Sequence, residues 1–319
     1  MLLLISVFCS LCLRRHSKQE KLISVVHDIS ILLFTDYSPN IKDTSLMPSF
    51  GFALPHSLLA AALMALSVSA CQPIGADASD NDTENWSCET QNSPFSYSIC
   101  RIDTNALNSE RYSLQLFWQS SASEQPLLTF DNIVATLPDN QTLSFAMNAG
   151  MYNENYAPIG YTVIDGKEIR ALNTKEGGGN FHLLPNGVLW WDKSGKVKIT
   201  ESNALNEQLE SGKAQPWYAT QSGPMLVINN EIHPQFNPDS TSLKLRNGAG
   251  VCSDGSIQFV NSDEPVTFYQ FAALFKDDLN CANALFLDGG IASALYAPSI
   301  ATHDKKEMGV MIGLVENKN

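Results

Sequence analysis

The 319-residue chain carries 20 Lys and Arg against 33 Asp and Glu, a formal net charge of −13, with 44% hydrophobic residues. Residues 1–70 hold 5 of the basic and 4 of the acidic residues, leaving 15 against 29 in the remainder. So acidic a surface disfavours nucleic acid and anionic membrane faces as partners, and no basic stripe with interleaved aromatics counters it.

The first element in chain order is the apolar run Leu58 to Leu66, which ends in Val68-Ser69-Ala70-Cys71. Its length suits a signal h-region better than a membrane span. The small residues before Cys71 resemble a bacterial lipobox, in which the cysteine is lipidated and the preceding peptide removed. Residues 47–70 are therefore expected to be a lipoprotein-type signal peptide starting at Met47, and 1–46 an upstream extension or a misassigned start. Two features run against this: the n-region offers only His56, and 46 residues precede Met47. The rival targeting element, Met1 to Leu13 followed by Arg14, Arg15, Lys18 and Lys21, is short for a span. Residues 71–86, with Asp77, Asp80, Asp82 and Glu84, read as a solvated tether. The expected location is the bacterial envelope, with the chain exported and anchored through lipid on Cys71 to the periplasmic side of the outer membrane.

Setting aside Cys9, Cys12 and Cys71 leaves Cys88, Cys100, Cys252 and Cys281. Four cysteines permit three connectivities. Cys88 with Cys100 and Cys252 with Cys281 are close enough to close modest loops, each worth ~3 kcal/mol. The alternative keeps Cys252 and Cys281 reduced in the core.

Residues 87–319 can bury one substantial core, so a single domain is expected. Short β-like runs dominate: Tyr112 to Trp118 alternates partly, and Gly187 to Trp191 and Ser256 to Val260 read as strands with one buried face. Turn chemistry separates them at Asp165-Gly166, Pro185-Asn186-Gly187, Ser194-Gly195, Asn229-Asn230 and Asp254-Gly255, all read as hairpin signals. Helices are few: near Asp131 to Leu137, within Leu205 to Glu210, and from Thr267 to Leu279, where Phe268, Phe271, Ala272, Leu274, Phe275 and Leu279 recur at helical spacing. The pattern predicts an α+β fold with a largely antiparallel mixed sheet.

Four segments share one character, an apolar run breaking into small and polar residues. They are Phe145 to Tyr152 around Asn148 and Gly150; Gln221-Ser222-Gly223-Pro224 before Met225; Arg246-Asn247-Gly248 before a strand; and Asp288-Gly289-Gly290 after Ala284 to Leu287. Glycine there lets backbone approach a ligand where a side chain would collide. In this order the four resemble the phosphodiester glycosidase family over roughly residues 95 to 316. Gly178-Gly179-Asn180-Phe181-His182 through Val188 is similar to a stretch common in bacterial members. Ala149 and Ile291 depart from the family, which usually has glycine at both positions.

The resemblance implies hydrolysis of the glycosidic bond between a sugar's anomeric carbon and a phosphodiester. A phosphate leaves as a stable anion, so anion recognition should outweigh acid catalysis. Arg246 is the candidate phosphate grip, since guanidinium offers paired donors and stays charged. Asp288 is the candidate carboxylate at the anomeric carbon. Asn148, Gly150, Ser222, Gly223, Gly289, Gly290 and Asn180 are the candidate substrate-binding positions, with Tyr152, Tyr156 and His182 behind them. Glu154 and Glu176 are weak candidates for a second carboxylate. No cofactor is called for, although a divalent ion at Asp288 stays open.

Three rival functions compete with this one. A serine hydrolase through Ser222 lacks the G-x-S-x-G elbow, and only His182, His233 or His303 could serve as its base. A non-catalytic envelope lipoprotein binding glycans or anionic polymer fits the departures at Ala149 and Ile291. A zinc hydrolase lacks ligands at recognised spacing.

Overall fold

The computed structural model describes residues 85–290, 292–300 and 306–318, within a compact unit spanning Asp77–Asn319. The expected extension, the signal peptide, Cys71 and nearly all of the tether lie outside the described residues. Among the described residues no helix is long and apolar enough to cross a membrane.

In chain order the strands are β1 (Trp86–Gln91), β2 (Tyr97–Asp103), β3 (Tyr112–Phe117), β4 (Gln141–Asn148), β5 (Thr162–Ile164), β6 (Lys167–Arg170), β7 (Gly187–Trp191), β8 (Val197–Glu201), β9 (Tyr218–Ser222) and β10 (Met225–Ile228). They continue as β11 (Glu231–Ile232), β12 (Asn247–Cys252), β13 (Ser256–Ser262), β14 (Cys281–Phe286), β15 (Leu295–Tyr296) and β16 (Met311–Asn317). Three helices accompany them: α1 (Phe130–Thr136), α2 (Ser202–Glu210) and α3 (Phe268–Ala273), the last running into a π turn at Leu274–Asp278.

The strands form three antiparallel sheets, ordered β1-β2-β13-β12-β14-β10-β11, β15-β4-β16-β3 and β6-β5-β9-β7-β8. The fold is α+β, as the pattern of many hairpins and few helices implies. Period-2 alternation sends one set of side chains from each sheet into a shared core: Ile257, Phe259 and Leu285 from the first, Leu114, Phe145 and Ile312 from the second, Leu189, Trp191 and Tyr218 from the third. Each outer face has its own cover. Phe271 and Phe275 of the α3 segment pack on Leu226, Val260 and Phe286; Phe130 and Ile133 of α1 pack beside Leu143; Leu205 of α2 packs beside Val188 and Trp190. A reciprocal capping box starts α3, with the Thr267 hydroxyl accepting from the Gln270 amide at 3.1 Å and the Gln270 side chain accepting from the Thr267 amide at 2.9 Å.

Four of the five expected hairpin turns join paired strands, and the Asn229-Asn230 turn has φ of 49° and 68°, the positive pair a two-residue hairpin demands. Pro185-Asn186-Gly187 is the exception. It leads from a 3-10 turn at Asn180–His182 into β7, and the Asn186 amide donates to the Phe181 carbonyl at 2.9 Å. Burial of that amide explains why a turn-like sequence makes no hairpin here. Both expected disulfides are formed, each between facing strands: Cys88–Cys100 across β1 and β2, and Cys252–Cys281 across β12 and β14.

Candidate active site

Arg246 immediately precedes β12, Asp288 follows β14, and the two strands are antiparallel neighbours, so both residues fall at the same sheet end. Gly248 pairs with Phe286, and the Leu287 amide donates to the Asn247 carbonyl at 3.1 Å. That pairing carries the chain into Asp288-Gly289 directly beside Arg246-Asn247. Contact there is close: a Cβ on Gly289 would lie 2.7 Å from the Asn247 nitrogen and 2.8 Å from the Arg246 Cα. Gly290, at φ 103°, then turns in a region side chains rarely adopt. On the other flank of β14, Pro224 accepts from the Phe286 amide at 3.1 Å, which brings the Ser222-Gly223 segment to the same end.

One buried amide ties these segments together. Asn148, at the end of β4, donates from Nδ2 to the Asp288 main-chain carbonyl at 2.8 Å. Its Oδ1 accepts from Asn247 Nδ2 at 2.6 Å and from the Ala294 amide at 2.9 Å. The Asp288 amide in turn donates to the Ala149 carbonyl at 3.2 Å. Gly150 lies so near β9 that an added Cβ would meet Thr220 Oγ1 at 2.5 Å and the Gln221 carbonyl at 2.7 Å. At Gly223 an added Cβ would come within 2.8 Å of the Phe181 carbonyl and 3.3 Å of the Asn180 carbonyl, so the Asn180 segment borders the site as well. All four segments singled out in the sequence thus meet at one place.

The Asp288 carboxyl is pushed up to about 6, and burial is the cause. Its solvent-accessible surface is nonetheless intermediate. The two facts are compatible if one edge of the carboxyl faces an opening while protein surrounds the rest. Tyr152 stands nearby, raised to about 12 first by burial and then by the Asp288 charge. Its ring stacks on Tyr156 at 5.8 Å, its hydroxyl donates to the Glu307 carbonyl at 3.1 Å, and the Tyr156 hydroxyl donates to the Glu307 carboxylate.

Arg246 is 3% exposed and sits over Phe268, its Cζ 3.5 Å from the ring centroid. Nε donates to the Val266 carbonyl at 2.9 Å and Nη2 to the Ser242 carbonyl at 3.2 Å. Burial lowers its pKa to about 10, which leaves it charged at neutral pH. Burial is the cause of the shift at both Arg246 and Asp288, and no ion pair joins the two among the described residues although their backbones adjoin. No carboxylate forms an ion pair with Arg246 among the described residues. Two of its five N–H donors are committed to carbonyls.

A phosphodiester glycosidase family model matches residues 141–315. The chain belongs to the phosphodiester glycosidase family. The uncharacterized protein YigE of Escherichia coli (strain K12) is 33% identical to it over 193 residues, 60% of this chain and 72% of the relative. Two solved structures share the fold. A hypothetical protein from Synechocystis superposes with a TM-score of 0.51 at 14% identity, over 73% of this chain but only 62% of that one. The catalytic domain of zebrafish N-acetylglucosamine-1-phosphodiester alpha-N-acetylglucosaminidase, auto-inhibited by its pro-peptide, superposes with a TM-score of 0.50 at 15% identity over 74% and 82%.

Within this phosphodiester glycosidase domain the remaining candidates separate clearly. Ser222 Oγ is buried and has no hydrogen-bond partner. His233 bonds the Leu184 carbonyl and His182 the Lys175 carbonyl, so neither is hydrogen-bonded to the Ser222 hydroxyl as a hydrolase base would be; His303 is outside the described residues. Glu154 and Glu176 are exposed. Among the described residues no group of three or more His, Cys, Asp or Glu comes together in a way that could hold a metal. Sequence reasoning missed Asn247 and Glu307. Asn247 had a readable signal: it shares β12 parity with Ala249, which faces the shared core, so a polar side chain there marks a buried hydrogen-bonding role.

Proposed function

We propose that this protein hydrolyses the glycosidic bond of a sugar-1-phosphodiester, with Asp288 acting at the anomeric carbon and Arg246 holding the phosphate. Membership of the phosphodiester glycosidase family and the zebrafish neighbour support the reaction type. The observation that carries the residue assignment is the Asn148 amide, bonded at once to Asp288 and to the neighbour of Arg246. It ties the chain segments that carry Asp288 and Arg246 to one sheet end, which supports reading the two residues as parts of one site.

The chemistry follows from these environments. With its pKa near 6, Asp288 is ionised at neutral pH and suits a nucleophile or a base rather than an acid. The bond from anomeric carbon to oxygen breaks and its electron pair leaves on the phosphate oxygen, which needs no proton to depart. Arg246 stabilises that departing charge in a site where burial strengthens the interaction. Tyr152 and Tyr156 form an aromatic rim next to Asp288, suited to a sugar face. The chain's expected place is the cell envelope, lipid-anchored at Cys71, with sugar phosphates of that compartment as substrates.

Purified protein would be assayed on chromogenic sugar-1-phosphodiesters, with product analysis by mass and by anomeric configuration. Release of free sugar that depends on Asp288 and Arg246 is expected. Cleavage on the phosphorus side, or turnover unaffected by Asp288→Asn, would overturn the reading. The non-catalytic alternative expects glycan binding and no sugar release from any of these compounds.

A further inference from the structure

One cavity outlined by the described residues lies away from Asp288, at the far end of β7. It holds about 610 Å³ and is lined by Trp190, Trp217, Lys193, Lys198, Lys213 and Asp192, with small and polar residues between them. β7 runs from Gly187, which pairs with Ser222 beside the candidate site, to Trp191, which pairs with Tyr218. At about 3.3 Å per residue the cavity end is roughly 13 Å from the site end.

Three ammonium groups around one cavity reverse the sign of an otherwise acidic chain. Two of them are held in place by aromatic rings. Lys193 Nζ lies 3.9 Å from the Trp217 centroid and Lys198 Nζ 4.7 Å from the Trp190 centroid. The rings themselves offer little to a sugar: Trp190 is 2% exposed, and a Cβ on Gly166 would lie 2.4 Å from the Trp217 ring. They act as seats for charge rather than as stacking platforms. None of the three lysines forms an ion pair with a carboxylate among the described residues. Asp192, the one acid lining the cavity, is turned into its own β-turn, accepting from the Ser194 hydroxyl at 2.6 Å and from the Ser194 and Lys196 amides at 2.9 and 3.3 Å. Burial alone would raise its pKa; these bonds, with Lys198 at longer range, keep it lowered.

We infer that this cavity is an anion subsite that binds a phosphate-bearing polymer. Resting on the proposed catalytic reading, it deepens that reading by naming the substrate class: a chain of repeated glycosyl phosphates, one unit at Asp288 and a neighbouring phosphate among the lysines. Nucleic acid carries similar charge spacing but meets an acidic surface beyond the cavity.

The test titrates the full chain with long-chain inorganic polyphosphate, following tryptophan fluorescence, since an anion drawing Lys193 off the Trp217 ring alters that ring's surroundings. Lys193→Ala/Lys198→Ala/Lys213→Ala should weaken binding at least tenfold and flatten its salt dependence, while the corresponding triple arginine variant retains it. On a glycosyl-phosphate polymer the alanine variant should raise KM at least fivefold, with kinetics on a small chromogenic sugar-1-phosphodiester unchanged. Polyphosphate binding that survives the alanine substitutions would overturn the subsite, and so would single-stranded DNA of equal length binding as tightly. If binding depends on the lysines but neither substrate releases sugar, the subsite stands and the catalytic reading falls.

Discussion

Asp288→Asn should make this protein more stable at neutral pH while abolishing its proposed chemistry. The unfolded chain releases the Asp288 proton near 3.8, whereas the folded protein holds it until about 6. Across that interval the fold binds the extra proton, so its stability falls as pH rises from about 4 to 6 and is level above. A gap of about two units corresponds to roughly 3 kcal/mol at 1.36 kcal/mol per unit. Because Asp288 is not fully shielded from solvent, water reduces this, and about 1.5–3 kcal/mol is expected. For a domain of this size each kcal/mol moves Tm by about 2–4 °C. Asparagine is close in shape, and Asn148 bonds the main-chain carbonyl of residue 288 rather than its side chain, so the scaffold is kept. Scanning calorimetry of wild type and variant from pH 3.5 to 8, with disulfides intact, should show curves that nearly coincide below pH 4 and part by roughly 3–12 °C above pH 6. A variant equal to or less stable than wild type at pH 7.5, or a difference independent of pH, would refute the claim that burial strains this carboxylate.

Three further outcomes are expected. Turnover of a sugar-1-phosphodiester should rise with pH through about 6 as Asp288 ionises; a profile that falls there instead would make Asp288 the acid. Phe268→Leu removes the ring under the Arg246 guanidinium and should cut kcat/KM about tenfold, with Phe268→Tyr restoring it; equal kinetics in the leucine variant would mean that the stack does not position the arginine. Cys252→Ala/Cys281→Ala should cost slightly more stability than Cys88→Ala/Cys100→Ala, both about 3–4 kcal/mol, because the pairs are 29 and 12 residues apart; urea titration reads the order, which a strong residual structure in the unfolded chain would reverse.

Much of the architecture was legible because its signals are local. Asp165-Gly166 and Asp254-Gly255 announce hairpins through the positive φ their turns require, and Phe268, Phe271 and Phe275 mark a helix by spacing alone. The helix was expected to reach Leu279 as one piece; instead it loosens into a π turn after Ala273, a change that depends on how Leu274 and Phe275 seat against β14 rather than on propensity. The division into three sheets around one core was not legible, since alternation says which side of a strand is buried and nothing about what covers it. At the site, the glycines and Asp288 stood out as strand endings, while the partner of Asn247, the Asn148 side chain from another sheet, could not be read from its neighbours in sequence. The lysines of the β7 cavity gave no sequence signal, because their seats, Trp190 on β7 and Trp217 just before β9, are brought together only by the fold.

The Asn148 amide also sets a timetable. Its partners lie 99, 140 and 146 residues further along the chain. Contacts of such separation cannot form until the polymer between them has been made. A chain growing from its N-terminus therefore has no assembled centre until Ala294 has emerged, and β16, which pairs with β3 and β4, comes later still. A fragment that stops between Ser222 and Ala294 carries every strand of the lysine-bearing sheet but lacks the assembled centre, so truncation there leaves the Asn148 network unmade.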